Sequence, residues 1–460
     1  MNREGFDFAA TTHVFTVNGA TLLLDVNSGA VHLLDEVMAA LVQALEACGG
    51  CLEEAIRRCC LKWDCGMVME AAGEIARAVE AGVLFTPGEV PHVDMAPFPI
   101  KALCLNVAHV CNMRCVYCFA GQGDFGQPQG LMSLEVGKAA LDFLLEAGSG
   151  PGNLEVDFFG GEPTLNSRVV RELVGYGRER AASQQRNIHF TLTTNAMTLD
   201  QELTEFLVKQ DVALVLSVDG RPHIHDRHRV LAGGGGTYTA VMRNVRRVVD
   251  RGARYVVRGT FTRDNLDFAS DIEHLADCGF SHISMEPVVG TNQGWAIREQ
   301  DIPIVAAEYE RLAVKMHEWQ RQGRGIDFFH FNLHASQGPC VAKRVTGCGA
   351  GNEYLAVTPA GDIYPCHQFV GCREFLMGNV FDRAVDENVR ATFARLQVAN
   401  KPECRSCWCR YFCGGGCAAH AYFAGGTLEQ PAPIACQLQR KRVECALWLL
   451  AMENLPTVAT

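Results

Sequence analysis

The hydrophobic pattern divides the chain into stretches of different rhythm. Near the N-terminus, HVFTVNGATLLLDVNSGAVHLL carries short apolar runs separated by Asn-Gly and Asn-Ser-Gly, which predicts two small strands joined by tight turns. Apolar positions then recur with helical spacing over Leu34–Ala47, Leu52–Cys60 and Val68–Ala81. Two strands and three helices outline a winged-helix-like unit over residues 1–95. Its helices are rich in acidic and poor in basic residues, which disfavours DNA as its ligand. The Pro-rich run from Pro87 to Pro99 reads as a linker.

From Lys101 to about residue 325, strand and helix patterns alternate. The predicted strands are Ala102–Ala108, Leu154–Phe159, Ile188–Thr193, Val212–Val218, Tyr255–Thr260 and His282–Glu286; helical spacing falls between them, as in Leu134–Leu145 and Leu199–Lys209. Six such units predict an α/β fold, a parallel sheet curved into a partial (β/α)6 barrel over residues 96–330. Chemistry in such barrels sits at the C-terminal ends of the strands. Residues 331–460 form a third, Cys-rich region.

Composition narrows the partners. A formal charge of −11 leaves no basic excess for nucleic acid. No apolar run reaches 18 residues, and MNREGFDFAA lacks the basic flank and apolar core of a signal peptide, so a cytoplasmic protein without a membrane span is expected. In that compartment 21 cysteines point to metal rather than to disulfides. Cys48, Cys51, Cys59, Cys60, Cys65, Cys104, Cys278 and Cys445 show no ligand spacing and are expected to be buried thiols. The others cluster at 111–118 and 340–436, suggesting at least two metal centres.

Cys111, Cys115 and Cys118 stand in CNMRCVYC, directly after the first barrel strand. Three thiolates leave one iron of a 4Fe–4S cubane open to a small molecule. The C-x3-C-x2-C run resembles the signature of radical S-adenosylmethionine (SAM) enzymes, in which that iron chelates SAM. The next strand ends in FFGGEPTL, whose Gly160, Gly161 and Glu162 resemble the motif that contacts the SAM ammonium. Further candidates at strand ends are Asn195 in TTNAM, Ser217 and Asp219 in LSVDG, and Arg258 in VVRGTF. Asn195, Ser217 and Asp219 suit a ribose or carboxylate, or equally a helix cap. Arg258 suits the SAM carboxylate or a structural ion pair. Tyr117 is a candidate to lie along the adenine.

In the C-terminal region Cys348, Cys366, Cys404, Cys407, Cys413, Cys417 and Cys436 follow an order that resembles the SPASM domain, which carries two auxiliary 4Fe–4S clusters. The resemblance implies that Cys404, Cys407, Cys413 and Cys436 hold one cluster, and Cys348, Cys366 and Cys417 the other. Cys340 supplies that cluster's fourth ligand, or the position stays open for a substrate thiolate. Three clusters in all are implied. A four-cysteine zinc site is the alternative, but it leaves the upstream pair and Cys436 unexplained. Cys372 and Cys409 fall outside the pattern as spare thiols.

The whole chain resembles the radical SAM–SPASM maturases of SCIFF peptides, in CNMRCVYCFAGQGDFG, in GCGAGNEYLAVTPAGDIYPCHQFVG and in the N-terminal unit. That resemblance implies a Cys-rich precursor peptide bound through its leader, an electron donor such as ferredoxin or flavodoxin, and a thioether between a Cys sulfur and a Thr carbon. The alternative is a sulfatase-maturase-like enzyme that forms formylglycine. In those enzymes an aspartate base follows the cysteine matching Cys366, whereas here the residue is His367, a candidate base or an ordinary structural histidine.

Overall fold

The computed structural model describes residues 6–93, 98–148, 152–290, 293–333 and 341–453. Strand β1 (Thr12–Val17) turns through Asn18 and Gly19, whose φ values are 49° and 79°, into the antiparallel β2 (Ala20–Asp25). Positive φ at both central residues is what Asn-Gly accommodates. A third strand, β3 (Val31–Leu34), pairs with β2, one more than the sequence pattern predicted. Three helices follow, Glu36–Ala47, Leu52–Cys59 and Cys65–Glu80; Asp35 and Asp64 cap the first and third by accepting from Met38 N–H and Met67 N–H. Alternation along β2 divides the packing between two cores. Leu23 joins the three helices, whereas Leu22 and Leu24 face the remainder of the molecule.

The expectation of buried thiols holds for Cys59, Cys104 and Cys445 and is corrected for the others, since Cys48, Cys51 and Cys278 are only half-buried. Cys60 and Cys65 are disulfide-bonded across the link between the second and third helices, and Cys65 is exposed rather than a buried thiol. Their meeting follows from the short turn that brings one helix's end to the next helix's start.

The large sheet begins with β4 (Ala102–Ala108) and continues with β5 (Asn153–Gly160), β6 (Asn187–Thr194), β7 (Ala213–Ser217), β8 (Tyr255–Phe261) and β9 (His282–Pro287), each parallel to the one before. These are the six predicted strands, and the parallel sheet is partial-barrel-like. It extends further than six strands, however. β10 (Asp327–Phe328) adds beyond β9; on the other edge β11 (Tyr354–Val357) pairs parallel to β4 and leads to β12 (Asp362–Tyr364) and β13 (Gly378–Asn379). The Cys-rich region is thus hydrogen-bonded into the barrel sheet itself.

Alternate strand residues point outward against the helices, among them Val156, Phe158, Phe190, Leu192, Leu214 and Leu216, all buried in the main core. The intervening positions on these strands face inward and carry the polar side chains described below. A helix at Ile302–Arg321 packs against the last helix, Pro433–Glu453, burying Tyr309, Met316 and Trp319. Among the described residues no helix is long and apolar enough to cross a membrane.

The N-terminal strands rest on the C-terminal region. His13 on β1 stacks on Trp408, with ring centroids 3.8 Å apart and planes 7° from parallel, and its Nε2 lies 2.9 Å from Glu444 Oε1. Arg410 donates to Ala10 O at 2.8 Å and to Asn27 Oδ1 at 3.0 Å.

Candidate functional site

A cavity of about 840 Å³ opens at the C-terminal ends of the barrel strands. Cys111, Cys115, Tyr117 and Cys118 form one rim. Their loop leaves β4 and is stitched to the segment after β7, with Arg114 N–H donating to Val230 O at 2.7 Å and Val116 N–H to His228 O at 2.9 Å. Gly160 and Gly161 run directly beneath. Gly160 has φ 127°, and an added Cβ would lie 2.3 Å from Ala108 O; at Gly161 it would lie 2.2 Å from Val110 O. Backbone approaches backbone here too closely for any side chain.

Glu162 is 1% exposed and lines the cavity floor. Its Oε1 accepts from Thr164 N–H (3.0 Å) and from the hydroxyls of Thr164 and Thr194 (both 2.6 Å), while Oε2 accepts from Asn195 N–H alone (2.8 Å). Burial raises its pKa against these four donors. Oε2 therefore keeps acceptor capacity for a further donor. Asn195 Nδ2 donates to Asn112 Oδ1 at 2.8 Å and lies 3.7 Å from Cys111 Sγ, which places it beside the first cysteine. Ser217 and Arg258 also line the cavity. Among the described residues the Arg258 side chain makes no ion pair or hydrogen bond, while its carbonyl accepts from Val218 N–H at 3.0 Å.

The Tyr117 hydroxyl donates to Asp219 and accepts from Arg229 Nη1 at 2.8 Å; Arg229 also lies 3.6 Å from Asp219 Oδ1. Asp219, fully buried, further accepts from Thr260 N–H at 3.1 Å. It therefore anchors Tyr117 and Arg229 and caps no helix. Arg229 was not singled out from the sequence. It stands in the polar run HDRHRV, where nothing periodic separates a buried cation from its exposed neighbours, yet it is 8% exposed and lines the cavity beside the cysteines.

The C-terminal region supplies the rest of the lining: Cys348, Cys413, Cys417, Cys436 and His367, whose ring lies 5.5 Å from that of Phe119 beside Cys118, while Cys366 is buried close to Cys348 and Cys417. Cys340 lies outside the described residues. Cys404, Cys407, Cys413 and Cys436 line a second, smaller cavity together with Cys409. Cys409, expected as a spare thiol outside the pattern, is instead 1% exposed within that cavity, drawn in because it shares the tight Cys407–Cys413 turn with two of the others. Both C-terminal donor sets are thiols throughout, and such soft sets suit iron–sulfur clusters. His367 is half-buried, its desolvation lowers its pKa to about 4, and its Nδ1 lies 3.0 Å from Tyr354 Oη. It is a neutral imidazole at physiological pH.

Comparison with known proteins agrees with this layout. The radical SAM superfamily matches residues 105–284, and the SPASM family, described as an iron–sulfur cluster-binding domain, matches residues 348–408. Mycofactocin maturase MftC of Mycobacterium ulcerans is 26% identical over 349 residues, covering 73% of this chain and 88% of that protein. The serine-type anaerobic sulfatase-maturating enzyme of Klebsiella aerogenes is 24% identical over 352 residues, covering 72% and 82%. Among solved structures, native anSMEcpe with bound AdoMet has a TM-score of 0.66 at 21% identity, covering 78% of this chain and all of that one. Streptococcus suis SuiB bound to S-adenosylmethionine has a TM-score of 0.55 at 17% identity, covering 92% and 98%. At those identities the structural likeness establishes shared fold. The chain thus carries a radical SAM domain followed by an iron–sulfur cluster-binding SPASM domain.

Proposed function

We propose that this protein is a radical SAM enzyme that matures a Cys-rich, ribosomally made peptide by joining a Cys sulfur to a Thr carbon. The observation that carries the reading is one cavity lined by two groups of cysteines, Cys111, Cys115 and Cys118 from the barrel and Cys348, Cys413, Cys417 and Cys436 from the C-terminal region. A peptide residue held between them would face both. Relatives named as maturases, and the structure of SuiB bound to its precursor peptide SuiA, support a peptide as the partner.

In this reading Cys111, Cys115 and Cys118 hold a 4Fe–4S cluster with one iron open. Gly160, Gly161 and the free face of Glu162 receive the SAM ammonium, Asn195 and Ser217 the ribose, and Arg258 the carboxylate. Tyr117, its hydroxyl fixed by Asp219 and Arg229, presents its ring as a wall for the adenine. A cluster and SAM bound there would supply a 5′-deoxyadenosyl radical able to take hydrogen from the substrate carbon, and closing the C–S bond would further release the thiol proton and one electron, for which an auxiliary cluster would be the acceptor. The cavity then holds the substrate thiol close to that carbon, a proximity effect. Cys348, Cys366 and Cys417 hold one auxiliary cluster, with Cys340 or a substrate thiolate as its fourth ligand. Cys404, Cys407, Cys413 and Cys436 hold the other. Residues 1–95 bind the leader, residues 96–330 form the barrel and residues 331–460 the auxiliary region. A ferredoxin or flavodoxin supplies electrons in the cytoplasm.

Formylglycine formation is the second reading. His367 on the cavity wall is its candidate base, but it stands where those enzymes carry an aspartate, and a pKa lowered to about 4 makes it a weak proton acceptor near neutral pH, which weakens this reading. One experiment separates the two. Anaerobically reconstituted protein is given SAM, dithionite and a candidate Cys-rich peptide, and products are read by mass spectrometry. Loss of two hydrogens with one cysteine no longer alkylatable supports the thioether; a product that reacts with hydrazide is an aldehyde and supports the second reading. Cys115→Ala should abolish deoxyadenosine formation, and persistent cleavage would overturn the assignment of the first rim.

A further inference from the structure

One wall of the cavity carries a polar group that the roles above leave unused. Glu286 at the end of β9, His330 in the turn Phe329–Phe331 and Arg442 in the last helix come from three separate elements and meet there. Arg442 Nη1 donates to His330 Nδ1 at 3.1 Å, which requires that nitrogen to be unprotonated. Its Nε2 then carries the proton and donates to Ser284 Oγ at 2.9 Å. Burial agrees with the neutral form, lowering the His330 pKa to about 4. The imidazole is thereby locked in one tautomer and one orientation.

Glu286 is held more loosely. Its oxygens lie 3.4 Å from His330 Nε2 and 3.5 Å from Arg442 Nη1, both beyond good hydrogen-bond length, and its side chain is 34% exposed to the cavity. Burial opposes its ionisation, but the guanidinium groups of Arg442 and Arg258 outweigh that and hold its pKa below the usual carboxylate value. A half-buried carboxylate with unfilled acceptor sites, beside a guanidinium whose Nη2 also donates to Gln439, offers an acceptor and a donor side by side. An anionic ligand would be repelled by Glu286 and a cationic one by Arg442. A neutral group with its own donor and acceptor, such as a peptide amide, satisfies both. Beside this pair Phe329 is 62% exposed and lines the same cavity, an apolar surface that a side chain can cover.

We infer that Glu286 and Arg442, with His330 as the residue that positions them, bind a main-chain amide of the substrate peptide and so set which residue faces the Cys111–Cys118 rim. The inference rests on the peptide reading above and deepens it. Arg442 lies six residues after Cys436 on one helix, so the amide site is fixed to the auxiliary cysteines as well as to the barrel.

The test compares Glu286→Gln, Arg442→Ala and Arg442→Lys in the reconstituted full chain. Iron per chain, deoxyadenosine release and modified peptide are measured together, and binding of a fluorescent Cys-rich peptide is followed by anisotropy without SAM or reductant. Loss of one charge-assisted hydrogen bond predicts roughly tenfold less modified peptide per deoxyadenosine and weaker peptide binding in Glu286→Gln and Arg442→Ala. Partial rescue is expected in Arg442→Lys. An unchanged product-to-deoxyadenosine ratio in all three variants, with wild-type protein modifying the peptide, overturns the inference alone. Parallel loss of iron, deoxyadenosine and product marks a structural role and also overturns it. Wild-type protein that cleaves SAM yet neither binds nor alters any Cys-rich peptide overturns the peptide reading, and the inference with it.

Discussion

Gly161→Ala tests how the first rim is built. A Cβ at this position would lie 2.2 Å from Val110 O, 2.6 Å from Val110 C and 2.7 Å from Gly123 O, so at least 0.8 Å of movement is needed to reach the 3.0 Å that real contacts require. All three neighbours are backbone atoms, and none can swing aside as a flexible side chain would. Val110 directly precedes Cys111, and a Cβ on Gly123 would itself lie 2.7 Å from Cys111 Cβ, so displacement passes straight to the first cysteine. Overpacking against rigid neighbours costs about 3 kcal/mol, which corresponds to roughly a hundredfold if it is expressed in ligand affinity. The assay is SAM affinity by equilibrium dialysis on reconstituted protein, with iron counted per chain. Gly233→Ala, which meets nothing within 4 Å, is the control and should behave as wild type. A Gly161→Ala protein within threefold of wild type in SAM affinity and equal in iron would refute the reasoning.

Further outcomes follow from other contacts. His225 is fully buried, its Nδ1 accepting from Asp219 N–H at 3.4 Å and its Nε2 lying 3.1 Å from Thr237 Oγ1; burial and then Arg229 lower its pKa to about 3. A depressed histidine contributes stability that is present above its unfolded pKa of about 6.5 and is lost as pH falls through the folded value. Denaturation midpoints should therefore decline from pH 6.5 toward 3, with a shallower slope in His225→Gln; equal slopes would count against this account. Arg229→Met leaves the Asp219 carboxylate buried without its guanidinium and should cost about 3–5 kcal/mol in chemical denaturation, an expectation that a loss under 1 kcal/mol would contradict. Trp408→Ala removes the stack on His13 beside the second cysteine cavity, so iron per chain should fall while deoxyadenosine release at the first rim persists.

The barrel strands were legible because each alternates or runs apolar between turn residues, and the predicted limits agree with the observed ones to within two residues at each end. The convergence of Cys111, Cys115 and Cys118 on the cavity was legible because all three fall within one short loop. What the sequence hid has physical causes. The pairing of β11 with β4 joins residues about 250 apart through four-residue runs, too short to announce a partner. Arg229, Glu286 and Arg442 become site residues only when separate strands and helices converge, and each looks locally like a solvated charge. Cys409 was set aside on spacing, although burial in a shared turn brings it among the other thiols.

The stacking of His13 on Trp408, flanked by Cys407 and Cys409, bears on how this protein could be re-engineered. Exchanging the N-terminal unit for that of a relative would test the proposed leader-binding role, and a cut near residue 93 looks convenient on paper. Such a graft would replace one half of a fitted joint and leave its socket behind: Trp408, Arg410 and Glu444 would face a foreign surface beside the smaller cysteine-lined cavity. Chimeras should instead inherit Thr12–Val17 together with Cys404–Cys413 and the helix bearing Glu444 as one block, because these segments share one contact surface despite lying some 400 residues apart.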